Sequence, residues 1–178
     1  DLNTIINLDP EHISAYSLAV EKETPLYGQV NSKEIIMPHE KTSIEMYSYT
    51  MDVLNQNNYL QYEISSYSKK NKECNHNLHY WRRSPYLAFG PSAHGFNEKK
   101  RYWNIRNLNE YVRKLDNNKL PVENFEILKE EDVFNELILN GLRISDGFNL
   151  AYIQNKFNKE TFKLLSSKII DWGNHLEK

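Results

Sequence analysis

A strand-like run, a helix and a second strand-like run follow one another within the first 67 residues, and this succession limits the folds open to the chain more than any other feature. His12 to Val20 (HISAYSLAV) is short, rich in β-formers and preceded by a Leu-Asp-Pro turn, so it reads as a mostly buried strand. Pro38 to Asn57 reads as a helix. Pro38 suits its first turn, and Ile44, Tyr47, Met51 and Leu54 recur at spacings of three and four, making one apolar stripe. Asn55 to Asn58 is a polar stop, and Tyr59 to Tyr67 (YLQYEISSY) is a second short strand. Strand, helix, strand in that order predicts parallel pairing and an α/β fold.

The rest of the chain extends this pattern and then leaves it. Asn71 to Ser84 reads as irregular or a single helical turn, Tyr86 to Gly90 as a third buried strand, and Arg101 to Arg106 as a fourth, at an edge. Asn107 to Leu115 is a short helix with Leu108, Tyr111, Val112 and Leu115 on one face. Residues 116–128, with a proline among them, read as a linker. Beyond it, 129–143, 149–157 and 159–172 all carry helical periodicity, the last through Phe162, Leu165, Ile169 and Trp172, with Asp146-Gly147 as a turn. The expected organisation is a mixed α/β region over 1–115, a linker over 116–128 and a small helical, winged-helix-like domain over 129–178 whose β-wing would come next.

Hydrophobic residues make up 39% of the 178, enough for a core, and no apolar run approaches the ~20 residues of a membrane span. Cys74 is the only cysteine, which excludes an internal disulfide and any Cys-only metal or cluster site, and suits a reducing, cytoplasmic setting. The chain opens on Asp1 in what reads as the middle of a domain, as a piece of a longer protein would. Net charge is −2, but Lys69 to Lys114 holds eleven Lys/Arg against three acids. That asymmetry predicts a positively charged face, with scattered solvated loops as the plainer alternative.

The stretch richest in chemistry is Cys74 to Gly95 (CNHNLHYWRRSPYLAFGPSAHG), with three histidines, a cysteine, three tyrosine or tryptophan rings and two adjacent arginines. Cys74, His76 and His79, with His94 as a fourth, are only loosely spaced for zinc. No CxxCH is present for covalent heme attachment. His94, His12, Tyr16 and Leu18 read as structural, Glu63 as a buried acid ion-paired with an arginine, and Arg143 as a favourable charge at a helix C-terminus.

Within and around this stretch the chain resembles the radical-SAM family of HemW-type heme chaperones and oxygen-independent coproporphyrinogen III oxidases. His76-Asn77-Leu78-His79-Tyr80-Trp81 matches the family's HNxxY(W) segment, and Tyr62-Glu63-Ile64-Ser65 its YEIS. His12 to Leu18 matches HISxYxL, Tyr86-Leu87 through His94 matches YLGxGxxAH, and Asn140 to Arg143 with Gly147 matches the start of the C-terminal domain. Ala88 and Pro91 depart from the pattern. The resemblance implies the last strands and helices of an incomplete TIM-like radical-SAM barrel, followed by a truncated helical domain. It implies heme, or another anionic tetrapyrrole, as ligand. His76 would then be the candidate axial ligand, Asn77 its support, Tyr80 and Trp81 packing on the porphyrin, and Arg82 and Arg83 pairing with propionates.

The family's 4Fe-4S cluster and S-adenosylmethionine need a CxxxCxxC loop, which one cysteine cannot replace, so they belong to the parent protein and the chain alone is expected to be inactive. The alternatives are oxidative decarboxylation of coproporphyrinogen III and, far behind, nucleic-acid binding, which a net charge of about −1 over 129–178 disfavours. An incomplete barrel leaves a sheet edge open, so self-association through that edge is expected.

Overall fold

The computed structural model describes residues 1–173. Its chain divides into two compact units, Asp1–Asn75 and a second that begins at His76.

The first unit runs α1 (Leu2–Asn7), β1 (His12–Ser14), α2 (Pro25–Asn31), α3 (Glu40–Gln56), β2 (Leu60–Glu63) and β3 (Ser66–Ser68). The expected helix over 38–57 forms. Its end is a Schellman turn built on Asn58, which takes a left-handed φ of 65°. Asn58 N–H donates to the Asn55 carbonyl and Tyr59 N–H to the Leu54 carbonyl. The turn delivers Tyr59 onto Leu54, and with Ile13 and Tyr67 these form the buried core, which Leu2, Ile6 and Ala15 flank. The Tyr59 hydroxyl donates to the Pro10 carbonyl at 2.8 Å, so the ring is buried without stranding its polar end.

Pairing differs from the expected parallel arrangement. The sheet order is β1-β3-β2, and both pairs are antiparallel. The run Tyr59–Tyr67 is a hairpin, not one strand. It breaks at Ile64-Ser65, where the Ile64 carbonyl accepts from both Gln61 Nε2 and the Tyr47 hydroxyl. β1 and β2 do run in the same direction, as a helical crossover requires, but β3 lies between them and takes both ladders. β1 is correspondingly short. Ala15 N–H still reaches the Ser65 carbonyl, but the hairpin turn then leaves no partner, and Tyr16 and Leu18 lie exposed.

The second unit runs α4 (Asn75–Trp81), β4 (His94–Phe96), β5 (Lys100–Asn104), α5 (Leu108–Asp116), β6 (Val122–Ile127), α6 (Glu130–Gly141), α7 (Leu150–Lys156) and α8 (Lys159–Gly173). The sheet is antiparallel, in the order β4-β5-β6. Two expectations are corrected here. The strand over 101–106 is central, not an edge, because residues 122–127, inside the expected linker, pair along its whole length. And Asn71–Ser84 holds a two-turn helix, not a single turn.

Helix starts follow local chemistry. The side chains of Asn107, Asn149 and Asn158 accept from N–H groups three residues on. The three helices expected over 129–173 form and close on Ile153, Phe157 and Leu165, with Phe134 edge-on to Phe157. No strand follows them among the described residues, and positions 174–178 of the expected domain lie outside these.

Burial pushes the Tyr67 hydroxyl up to about 12, with smaller contributions from Tyr47 and Glu63. An unfolded tyrosine ionises near pH 10. Between the two values the unfolded chain holds fewer protons than the folded one, so stability is full below pH 10 and falls as pH rises toward 12. Among the described residues the hydroxyl has no hydrogen-bond partner. Tyr67→Phe is therefore expected to change stability by no more than about 1 kcal/mol at neutral pH and to flatten the alkaline decline, as read by urea unfolding across that window.

Candidate functional site

Six of the seven residues of α4 belong to the second unit, and its C-terminal turn organises their surroundings. Arg83 takes a left-handed φ of 54°, where glycine is usual. Its N–H donates to the Tyr80 carbonyl and that of Ser84 to the His79 carbonyl, a Schellman turn with arginine in the strained position. Left-handed backbone costs a side-chain-bearing residue about 1 kcal/mol. What offsets it is an ion pair: Arg83 Nε donates to Glu136 Oε2 at 2.8 Å, with the Arg83 side chain only 8% exposed. The other oxygen of Glu136 accepts from Arg101 Nη2 at 2.6 Å, and Arg101 also reaches Glu126 at 3.0 Å. Both guanidiniums stand over the Phe96 ring. Burial works to lower the Arg101 pKa, but hydrogen bonding and charge from Glu136 outweigh it and hold Arg101 above its ordinary value.

The six residues singled out by sequence do not form one cluster. His76 and Tyr80 fall at i and i+4 on one helix face, and Arg83 follows in the turn beyond the helix. His76 is exposed on the first turn, and Tyr80 stands edge-on to it at 4.9 Å. The row continues through Tyr86 at 4.6 Å from Tyr80 and Phe96 at 5.9 Å from Tyr86. Tyr80, Tyr86, His94 and Phe96 line a cavity of about 320 Å³ that Arg83, Arg101 and Glu136 also bound. Asn77 is half-buried on the same helix. Trp81 also lines that cavity but shares its ring with Arg143, and Arg82 faces another neighbourhood. The Arg143 guanidinium lies 4.4 Å from the Trp81 ring centre, and Arg82 pairs with Asp146 at 2.9 Å. Arg143 therefore braces the end of α4, beyond the helix-terminal charge expected of it. Gly141 makes that corner, and a Cβ there would stand 2.6 Å from the Phe148 Cβ.

The segment Tyr86–Gly90, expected as a buried strand, makes only a single bridge, Tyr86 to Phe96. Side chains hold it instead. The Tyr102 hydroxyl accepts from Ala88 N–H, the Tyr111 hydroxyl accepts from Gly90 N–H, and the Asn104 amide donates to the carbonyls of Ala88 and Gly90. Leu87 and Phe89 face outward, 71% and 82% exposed.

The expected basic face is neutralised in part, with Lys70, Lys99, Lys100, Arg106 and Lys114 in no ion pair among the described residues. Lys69, Lys72, Arg82, Arg83, Arg101 and Arg113 each have a carboxylate partner, all but one distant in sequence. Among the described residues no three His, Cys, Asp or Glu side chains converge as a metal ion would need. His94 stacks at a tilt on its cross-strand partner Trp103, and His12 hydrogen-bonds the Tyr62 hydroxyl at 2.8 Å. Glu136, Arg101 and Asn104 were not found by sequence reasoning, because their partners are 14 to 53 residues away and no local motif marks them.

No family model matches the chain. Among curated proteins it is similar to the heme chaperone HemW of Bacillus subtilis (strain 168), 32% identical over 96% of this chain and 45% of that protein. It is likewise similar to the heme chaperone HemW of Buchnera aphidicola subsp. Schizaphis graminum, 34% identical over 97% of this chain and 48% of that one. The chain thus spans a little under half the length of these relatives. Among solved structures, the coproporphyrinogen III oxidase HemN of Escherichia coli, a radical SAM enzyme, shares the fold with a TM-score of 0.61 at 15% identity, over 80% of this chain and 36% of that one.

The Glu136 geometry separates two substitutions. Glu136→Ala leaves the buried Arg83 unpaired and is expected to cost about 3 kcal/mol. Arg83→Gly relaxes the left-handed turn and leaves Glu136 paired with Arg101, so it is expected to cost clearly less. Thermal and urea unfolding of the two variants compare them, and equal losses would show that the pair does not dominate.

Proposed function

Because the chain belongs to the HemW-type radical-SAM family, we propose that it is a heme-handling segment of a heme chaperone, with His76 as axial ligand to the iron. The observation that carries this reading is the exposed His76 imidazole at the head of the aromatic row through Tyr80, Tyr86 and Phe96, which runs into a cavity. Neutral imidazole binds heme iron directly, and a row of rings offers the porphyrin an apolar wall. Heme is cargo in this reading.

The roles of the neighbouring residues follow from their surroundings. Tyr80 and Tyr86 supply the wall, since the Trp81 ring is covered by Arg143. Of the two arginines, Arg82 is the one that can turn to a propionate, because its pair with Asp146 is exposed on both sides and weak. Arg83 is committed to Glu136. Asn77, half-buried on the same helix, would steady its His76 side. One cysteine cannot supply the thiolates of a 4Fe-4S cluster, so the cluster and S-adenosylmethionine belong, in this reading, to the part of the family's members that the chain does not span.

No helix among the described residues is long and apolar enough to cross a membrane. A cytoplasmic setting is part of the same reading, since a lone thiol suits a reducing compartment. So is self-association through a sheet edge. β6 is an outer strand with Phe125 and Ile127 exposed, and its free ladder can pair with another copy. A strict monomer at high concentration in size-exclusion chromatography would remove that part.

Hemin titration tests the ligand. The protein is expected to give a shifted Soret band that His76→Ala weakens by at least the ~10–100-fold typical of losing even an outer-shell support. A band unchanged by the substitution would take His76 out of the ligand role.

A further inference from the structure

A second cavity, of about 510 Å³, opens where the C-terminal turn of α4 meets α6, α7 and the corner between them. We propose that it binds a small monoanion: a carboxylate on an apolar body. This proposal does not require heme at His76, although it shares Arg82 with the propionate role proposed above.

Its inner wall is apolar, formed by Leu137, Ile144 and Phe148 with the Trp81 ring. Two cations line it that are free to change partners. Lys156 donates to the Tyr152 hydroxyl at 2.7 Å and has no carboxylate within ion-pair distance among the described residues. Among the described residues the Arg82 side chain is held only by Asp146, and with the two side chains 54% and 68% exposed, exchanging that carboxylate for another costs little. Arg83 also lines the cavity, but its charge is already met by Glu136.

Charge then selects the ligand. Two exchangeable cations, Arg82 and Lys156, face one lining carboxylate, Glu98, and a ligand carboxylate would take the place of Asp146 on Arg82. A monoanion does so with a single charge, whereas a phosphate dianion or a dicarboxylate would bring an excess negative charge toward Glu98. The planar fork of Arg82 matches a carboxylate, Lys156 supplies a point charge, and the apolar wall takes the ligand's body. The volume lies in the range of small-molecule sites. None of this was visible in the sequence, because Lys156 lies 74 residues beyond Arg82 in a helix with no motif.

Calorimetric titration with 2-naphthoate tests the proposal, with the neutral 2-naphthamide and naphthalene-2,6-dicarboxylate as comparisons. The monoanion is expected to bind, and both comparison compounds to bind about tenfold or more weakly. Lys156→Met and Arg82→Met, which keep the aliphatic stems, are each expected to weaken naphthoate by a similar factor, and His76→Ala to leave it unchanged. Equal binding of acid and amide, indifference to Lys156→Met, or no binding of naphthoate up to its solubility limit would each overturn the proposal. Loss of hemin binding in His76→Ala with naphthoate binding intact would separate the two sites.

Discussion

One carboxylate, Glu136 on α6, holds guanidiniums from two other elements: Arg83 at the end of α4 and Arg101 on the central strand β5. A helix, a turn and a sheet are thereby tied at one point, over one aromatic ring, Phe96. Surface ion pairs elsewhere in the chain, such as Lys41 with Glu45, contribute at most about 1 kcal/mol. This one differs because the Arg83 side chain is nearly buried, so removing its partner strands a charge where water cannot reach it. The strained left-handed turn at Arg83 follows from the same need. Glycine would relax the backbone, but it could not reach Glu136. The direction of α4 beyond that turn, and with it the face carrying His76 and Tyr80, depends on that pair.

Most helices were legible in the sequence, because what makes a helix is mostly local. Asparagine caps and apolar stripes sit within one or two turns of what they act on, and α3, α5, α6, α7 and α8 all form where those signals lie. The strands were less legible, because a strand needs a partner that the local run does not name. HISAYSLAV reads as nine residues of strand and gives three, since β3 is only long enough to pair that far. YLAFG reads as a buried strand, yet its backbone is satisfied by Asn104, Tyr102 and Tyr111, and its leucine and phenylalanine face outward. VENFEI, next to a proline and rich in acids, reads as linker and becomes β6 because β5 offers it a full ladder.

The candidate site was legible as composition and not as geometry. The stretch Cys74–Gly95 does hold the accessible imidazole and the aromatic row. Adjacent residues on a helix, however, point about 100° apart. Arg82 and His76-Tyr80 therefore serve different neighbourhoods, with Trp81 between them, although seven letters of sequence contain both. The charge asymmetry misled for a related reason. Six of the eleven cations between positions 69 and 114 find acids, at Asp9, Glu11, Glu110, Glu126, Glu136 and Asp146, so the fold cancels locally part of what the sequence separates.

That cancellation changes what the few uncommitted groups can do. In the readings proposed above, with Arg83 and Arg101 spent on Glu136, recognition of a carboxylate would fall to Arg82 and Lys156, whose present partners are exposed or uncharged. Recognition of a flat apolar ring would fall to Tyr80 and Tyr86, because Arg143 covers Trp81. Trp81 lines both cavities. The end of α4 thus lies between an aromatic side and a basic one.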